Sequence, residues 1–282
     1  MRSEVVAGAA VRWVGIDFSG NVLKWRQQCS RSNVWVAELE DGGPLPRLSS
    51  LFRVQELGGD GTPFHRLAAY LKASPAATIA IDAPFSVPRA YLPPGGRDAL
   101  LDAVANLDPE GRPFPRGDRL LDLVRSRAEL AEMKPSRVTE SRWRERGINV
   151  RSTLWNGPRG GAPFTSACLR LLGEAGRPPC WPWHATTGGG RPLLAEAFPA
   201  AQLAVWGLPN TGYDDDRRAR KRLVEGLAGR VETPDPLAEL ALSSADALDA
   251  VVCAFAGVAV DRGRVAMAPE DPGGEGWIAV HG

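Results

Sequence analysis

Apolar residues come in short dense runs along the first third of the chain, and their spacing predicts strands. Residues 11–18 (VRWVGIDF) read as a buried strand ending in the turn Ser19-Gly20-Asn21. Residues 22–28 and 33–40 read as two more strands across the polar turn Ser30-Arg31-Ser32, with 51–57 as a fourth, which together suggest an antiparallel meander. Thr62-Pro63 then opens a helix to about Ala73, with Thr as cap and Pro in the first position. Residues 76–83 (AATIAIDA) form an apolar strand broken by Pro84. From 86 to 192 the pattern changes: Pro and Gly are frequent, helical spacing appears near 97–107, 117–133 and 164–173, and strand signal is sparse. Strand signal returns at 193–198, followed by helices at 200–206 and 214–229, a last helix over 244–260 and a short strand at 277–280. No internal repeat is found.

This order predicts an α/β fold, a mixed sheet with helices packed on it. The expected organisation is one domain over 11–282, with 86–192 as a helical insertion or cap and 1–10 as a loose terminus. The longest apolar run, 250–260, is 11 residues, short of the roughly 20 that span a bilayer. The first ten residues have no positive-then-apolar leader pattern. The expected setting is therefore cytoplasmic, away from membranes.

The formal charge is +1, so no blanket basic field draws the chain to nucleic acid. Only four of the 34 basic residues are Lys, so arginine abundance by itself says little. Cys29, Cys168, Cys180 and Cys253 include no C-x-x-C pair, which excludes a zinc ribbon and fits reduced thiols. Cys180 and His184 read as a loop thiol and a loop imidazole rather than half a metal site, because the chain has only three His.

Three carboxylates interrupt apolar strands: Asp17, Asp82 and Glu196. Burying an ionised carboxylate costs several kcal/mol unless it is paired, protonated or bound to a cation. The last helix adds Asp246 and Asp249, whose spacing of three puts them on one face of a helix otherwise apolar apart from Ser244. Each acid has a plainer reading. Asp246 suits the positive end of the helix dipole, and Asp17 and Asp82 suit turn starts. One shared explanation covers all five: acids from adjacent strands and one helix converge on divalent cations. Oxygen-only ligands select Mg²⁺ or Mn²⁺.

The order of these blocks, VGIDFSGN, IAIDAPFSVP, AEAFPAA and SADALDAVVCA, resembles the ribonuclease H-like superfamily. More closely it resembles the bacterial and archaeal proteins grouped as domain-of-unknown-function family 429, predicted nucleases of that fold. The last block is also similar to the paired aspartates of Holliday-junction resolvases. The resemblance implies a ribonuclease H-like mixed five-stranded sheet flanked by helices, with a mainly helical insertion. It also implies a metal-dependent phosphodiester hydrolase that uses Mg²⁺ or Mn²⁺. Asp17 would bridge two ions, Asp82 and Glu196 would hold one each, and Asp246, Asp249 or both would complete the second site. These same five acids are the candidate catalytic residues.

Between Asp82 and Glu196 lie 113 residues, enough for a cap. Within them, 134–159 holds seven basic residues against Glu140 and Glu145, with Trp143 and Trp155 interleaved. Basic and aromatic residues together suit a nucleic-acid strand. Arg142, Trp143, Arg144 and Arg146 are therefore candidate substrate contacts, with Ser19 beside the first acid; a solvated Arg-rich helix with Trp packed inward accounts for the run equally well. Asp214-Asp215-Asp216 ahead of a basic run reads as a helix start. Two other functions stay open. One is a phosphotransferase of the actin and sugar-kinase type, with phosphate loops at 15–20 and 186–190. The other is a non-catalytic binding protein on the same fold.

Overall fold

The computed structural model describes residues 11–125, 134–157, 160–185, 190, 192–269 and 274–282. The expected loose terminus 1–10, residues 126–133 of the expected helix 117–133, Arg159 and most of the loop 186–190 lie outside the described residues.

Strand β1 (Val11–Asp17) pairs antiparallel with β2 (Trp35–Glu40), and β2 pairs antiparallel with β3 (Arg47–Arg53). On its other side β1 runs parallel to β4 (Thr78–Ile81), and β4 runs parallel to β5 (Leu193–Glu196). The sheet order is β3-β2-β1-β4-β5, a mixed five-stranded α/β sheet. Helix α1 (Pro63–Ala73) links β3 to β4, with Pro in its first turn as expected. Between β4 and β5 come α2 (Gly96–Ala105), α3 (Gly117–Arg125), α4 (Val138–Glu145) and α5 (Ala162–Glu174). After β5 follow α6 (Pro199–Val205), α7 (Arg217–Leu227), α8 (Asp235–Ser243) and α9 (Ala245–Asp261).

Pleat alternation sorts the core into two layers. Val14, Ile16, Val36, Ile79 and Ile81 pack with α1 and with insertion residues such as Leu100, Leu120 and Leu169. Trp13, Ala37, Leu39 and Leu48 face the opposite way, against α7 and α9. Helices α2, α3 and α5 of the insertion therefore share the core of one sheet face, while Trp143 of α4 packs with Ala201, Ile278 and Val280. Helix α9 lies along β1 on the other face. Gly15 permits that approach: a Cβ there would stand 2.1 Å from the Ala250 carbonyl oxygen and 2.3 Å from the Ala254 nitrogen. Among the described residues no single helix is long and apolar enough to cross a membrane.

Three expectations change. Residues 22–28 are not a strand; Val22–Trp25 is a short 3-10 turn capped by the Asn21 side chain. Its apolar residues Val22 and Trp25 are three apart, and the Trp25 ring NH is held by the Ser19 carbonyl at 2.9 Å. The strand expected at 51–57 lies earlier, at Arg47–Arg53, because its register runs from Glu40 opposite Arg47 to Trp35 opposite Arg53. The chain then turns through Val54–Glu56. The expected strand 277–280 is reduced to bridges, with Ile278 beside Glu196 and the Ala279 N–H donating to the Glu196 carbonyl at 2.8 Å. Helices α4 and α8 have no counterpart in the expected elements: each follows a proline-containing stretch that reads as loop.

Candidate active site

Trp13, Gly15 and Asp17 alternate onto the α9 face of β1, so the strand ends by aiming an acid at the first turns of that helix. Ser244 caps α9 through the Ala247 N–H, and the next two turns carry Asp246 and Asp249. Asp82 follows β4 directly, and its N–H donates to the Ile16 carbonyl at 2.9 Å, beside Asp17. Asp82 and Asp249 line a cavity of about 270 Å³, with Tyr213, Arg137, Arg151 and Phe164 around it. The Tyr213 hydroxyl donates to Asp249 at 2.8 Å.

The electrostatics bind these acids into one group. Burial pushes the Asp17 carboxyl well above the carboxylate range, and Asp249, Asp246 and Asp82 push it further; Arg151 opposes them. Asp249 is raised by burial and by Asp82, Asp246 and Asp214, against the Tyr213 hydrogen bond. Asp246 is raised by burial, with Ser244 and Lys24 opposing. Burial lifts Asp82 to about 7, again with Arg151 opposing. Burial also raises the Tyr213 hydroxyl, and its carboxylate neighbours add to the effect, so it stays a donor.

The Asp82 value carries a prediction. A carboxyl with a higher pKa folded than unfolded binds more protons in the folded state between the two values, so its contribution to stability falls as pH rises from about 4 to about 7. In metal-free buffer, Asp82→Asn is expected to gain melting temperature over the parent protein between pH 5 and pH 8. A difference that stays flat across this range refutes the assignment.

Glu196 lines the same cavity as Asp82 and Asp249, but it leaves the sheet on the other face and is paired. It lies opposite Ile81 in the parallel register, and Ile81 lies opposite Ile16; all three point to the insertion face, away from Asp17. Its carboxylate is 1% exposed and fully engaged. Arg137 donates to Oε1 at 2.7 Å and to Oε2 at 2.8 Å, and the Phe85 N–H donates to Oε1 at 2.9 Å. Arg137 also donates to Glu140 at 3.0 Å and to the Glu275 carbonyl at 3.1 Å. Glu275 in turn accepts from the backbone N–H groups of Arg89 and Val138. The expected ligand is thus a structural anchor that ties α4 and the C-terminal segment to β5.

The expected substrate contacts also fall elsewhere. Trp143 is 1% exposed and packs with Ile148 and Ile278, so it offers no face to a base. Arg144 is spent on the Val150 carbonyl and Ser136. Arg142 and Arg146 line a different cavity, with Met267 and Trp277. Ser19 is buried and accepts from the Asn21 N–H, a turn contact. Three residues at the cavity carried no distinctive signal in the sequence. Arg137 and Arg151 are two among many arginines, and Tyr213 sits in a polar turn. Asp214 adds its charge to the group, while Asp216 caps α7 as the helix-start reading expects.

Among the described residues no three His, Cys, Asp or Glu side chains are grouped so that they could hold a metal ion as they stand. In donor type and charge, however, Asp17, Asp82, Asp246 and Asp249 fit a hard divalent cation. Every donor is oxygen, and the crowded charge is offset by Arg151 and Lys24 and by the hydroxyls of Tyr213 and Ser244.

No curated protein and no solved structure matches the chain. A family model does match, over residues 181–273. This stretch contains β5, Tyr213, Asp214 and the whole of α9, with Asp246 and Asp249. Over those residues the chain is similar to the family described as Protein of unknown function (DUF429).

Proposed function

We propose that the protein is a ribonuclease H-like, metal-dependent phosphodiester hydrolase acting on nucleic acid with Mg²⁺ or Mn²⁺. The carrying observation is the joint burial of Asp17, Asp82 and Asp249 at the ends of adjacent parallel strands and the start of α9, where burial raises each carboxyl and the Asp82 charge raises the other two further. Such crowding is a cost in a protein that does not use it. The strand order, with an antiparallel meander at one side and parallel β4 and β5 at the other, supports the same reading.

Asp17, Asp82 and Asp249 would hold the cation, with Asp246 beside them. A bound cation polarises a phosphoryl oxygen and acidifies water. Tyr213 orients one Asp249 oxygen through its hydroxyl. Asp82 is raised to about 7 by burial without the ion, so binding a cation there would be coupled to loss of its proton. Arg151, on the cavity wall, meets the phosphate and balances the acids. Glu196 has no part in holding the metal; with Arg137 it fixes the cavity wall.

The test is hydrolysis of bis(p-nitrophenyl) phosphate and of end-labelled oligonucleotides, with Mg²⁺, with Mn²⁺ and with EDTA. Expected are cleavage only with a divalent ion and a higher melting temperature in millimolar Mn²⁺. No cleavage of any substrate and an unchanged melting curve with either ion would overturn the reading.

A further inference from the structure

A second cavity, of about 570 Å³, adjoins the acidic one. Gly20, Asn21, Arg112, Arg116, Asn156 and Phe164 are among its lining residues. Phe164 lines both cavities, is half-buried, and carries the Arg151 guanidinium 5.3 Å above its ring. Gly20 follows Asp17 by three residues, so the two positions are at most about 11 Å apart along an extended chain. The second cavity is thus within one or two monomer units of the acids for any chain-like substrate.

Its walls are built from close backbone contacts. A Cβ at Gly20 would stand 2.6 Å from the Phe164 nitrogen, and one at Gly117 would stand 2.7 Å from the Asn156 side-chain oxygen. At Gly160 it would stand 1.9 Å from the Trp155 carbonyl oxygen. Gly20 after β1 and Gly117 at the start of α3 therefore both sit backbone-close to the first residues of α5. Among the described lining residues, Arg116 is paired with Asp118 and Arg137 with Glu140 and Glu196, which leaves Arg112 and Arg151 as the guanidinium groups open to a ligand.

We propose that the second cavity receives the nucleotides flanking the scissile phosphodiester of a single strand, with a base on Phe164 and phosphates on Arg112 and Arg151. A half-buried ring with one guanidinium over it, and a second arginine on the adjoining lining, is a pairing that grips unpaired strands: bases stack on the open edge of the ring or on the guanidinium plane, and phosphates meet the charges. A duplex keeps its bases inside the stack, out of reach of such a ring. Where the scissile bond lies rests on the hydrolase reading; strand binding itself does not.

The experiment is fluorescence anisotropy of a labelled single-stranded oligonucleotide and of its duplex, with Ca²⁺ replacing Mg²⁺. The single strand is expected to bind more tightly than the duplex. Phe164→Ala is expected to weaken strand binding about tenfold, and Phe164→Leu, which keeps an apolar filler, to weaken it as well. Arg112→Ala is expected to flatten the dependence of log affinity on log salt by about 0.7, one phosphate contact on a single strand. Tighter binding of the duplex, no binding by the parent protein, or variants that bind like the parent would overturn the proposal. Bis(p-nitrophenyl) phosphate, small enough for the first cavity alone, separates the two claims. If it is hydrolysed while no strand binds, the groove fails and the hydrolase stands. Strand binding lost on Phe164→Ala, with no hydrolysis, keeps the groove and removes the hydrolase.

Discussion

Replacing Arg137 with methionine is expected to destabilise the protein by about 3–5 kcal/mol, because it strands two buried carboxylates. Glu196 and Glu140 are each 1% exposed, and both bond to this one guanidinium. Burial on its own would lower the Arg137 pKa, but Glu196 and Glu140 outweigh that and hold it raised. Glu140 remains raised by its burial even with Arg137 beside it. With the cation gone, neither acid has another basic partner among the described residues. In a chain of this size the loss corresponds to a fall in melting temperature of roughly 10 °C. Adding Glu196→Gln to Arg137→Met should recover part of it, because one stranded charge is then neutral. If Arg137→Met melts within about 2 °C of the parent, these three residues do not anchor α4 to the sheet.

Asp17→Asn acts in the opposite direction on stability and abolishes function. Asp17 is 6% exposed and sits in the field of three other carboxylates, so its charge is a burden on the metal-free fold. The amide has nearly the same shape and no charge. In EDTA the variant is expected to melt no lower than the parent, and higher as pH rises. With Mn²⁺ it is expected to lose the ion-induced rise in melting temperature and more than about 100-fold in kcat. A metal-free variant that melts well below the parent would show that the Asp17 carboxylate is held by structural contacts. The shared-field account would then fail.

The elements legible in the sequence include the strands β1, β2, β4 and β5 and the helices α1, α2, α5, α6, α7 and α9. Where the apolar spacing was sparse, tertiary contacts decided. Trp25 found the Ser19 carbonyl and turned 22–28 out of the sheet, and pairing with β2 moved β3 four residues earlier. The aspartates of the site stood out because each broke an apolar run. Glu196 broke a run in the same way, but composition does not state which side of a strand a residue takes. Only the register opposite Ile81 shows that it faces the insertion. Arg137 was hidden for the opposite reason: among so many arginines, its burial is visible only once α4 is docked on β5. Trp143, read as a possible base platform, is core for the same cause.

The crossing of α9 over Gly15 sets a limit on how the anionic centre can adjust. The two elements that carry Asp17, Asp246 and Asp249 meet main chain to main chain, with no side chain between them to act as a cushion. The interval between those acids is therefore inherited from backbone geometry rather than from rotamers. Any widening to suit an ion of larger radius has to come from Asp82 and the insertion side, while the α9 side serves as a fixed jaw.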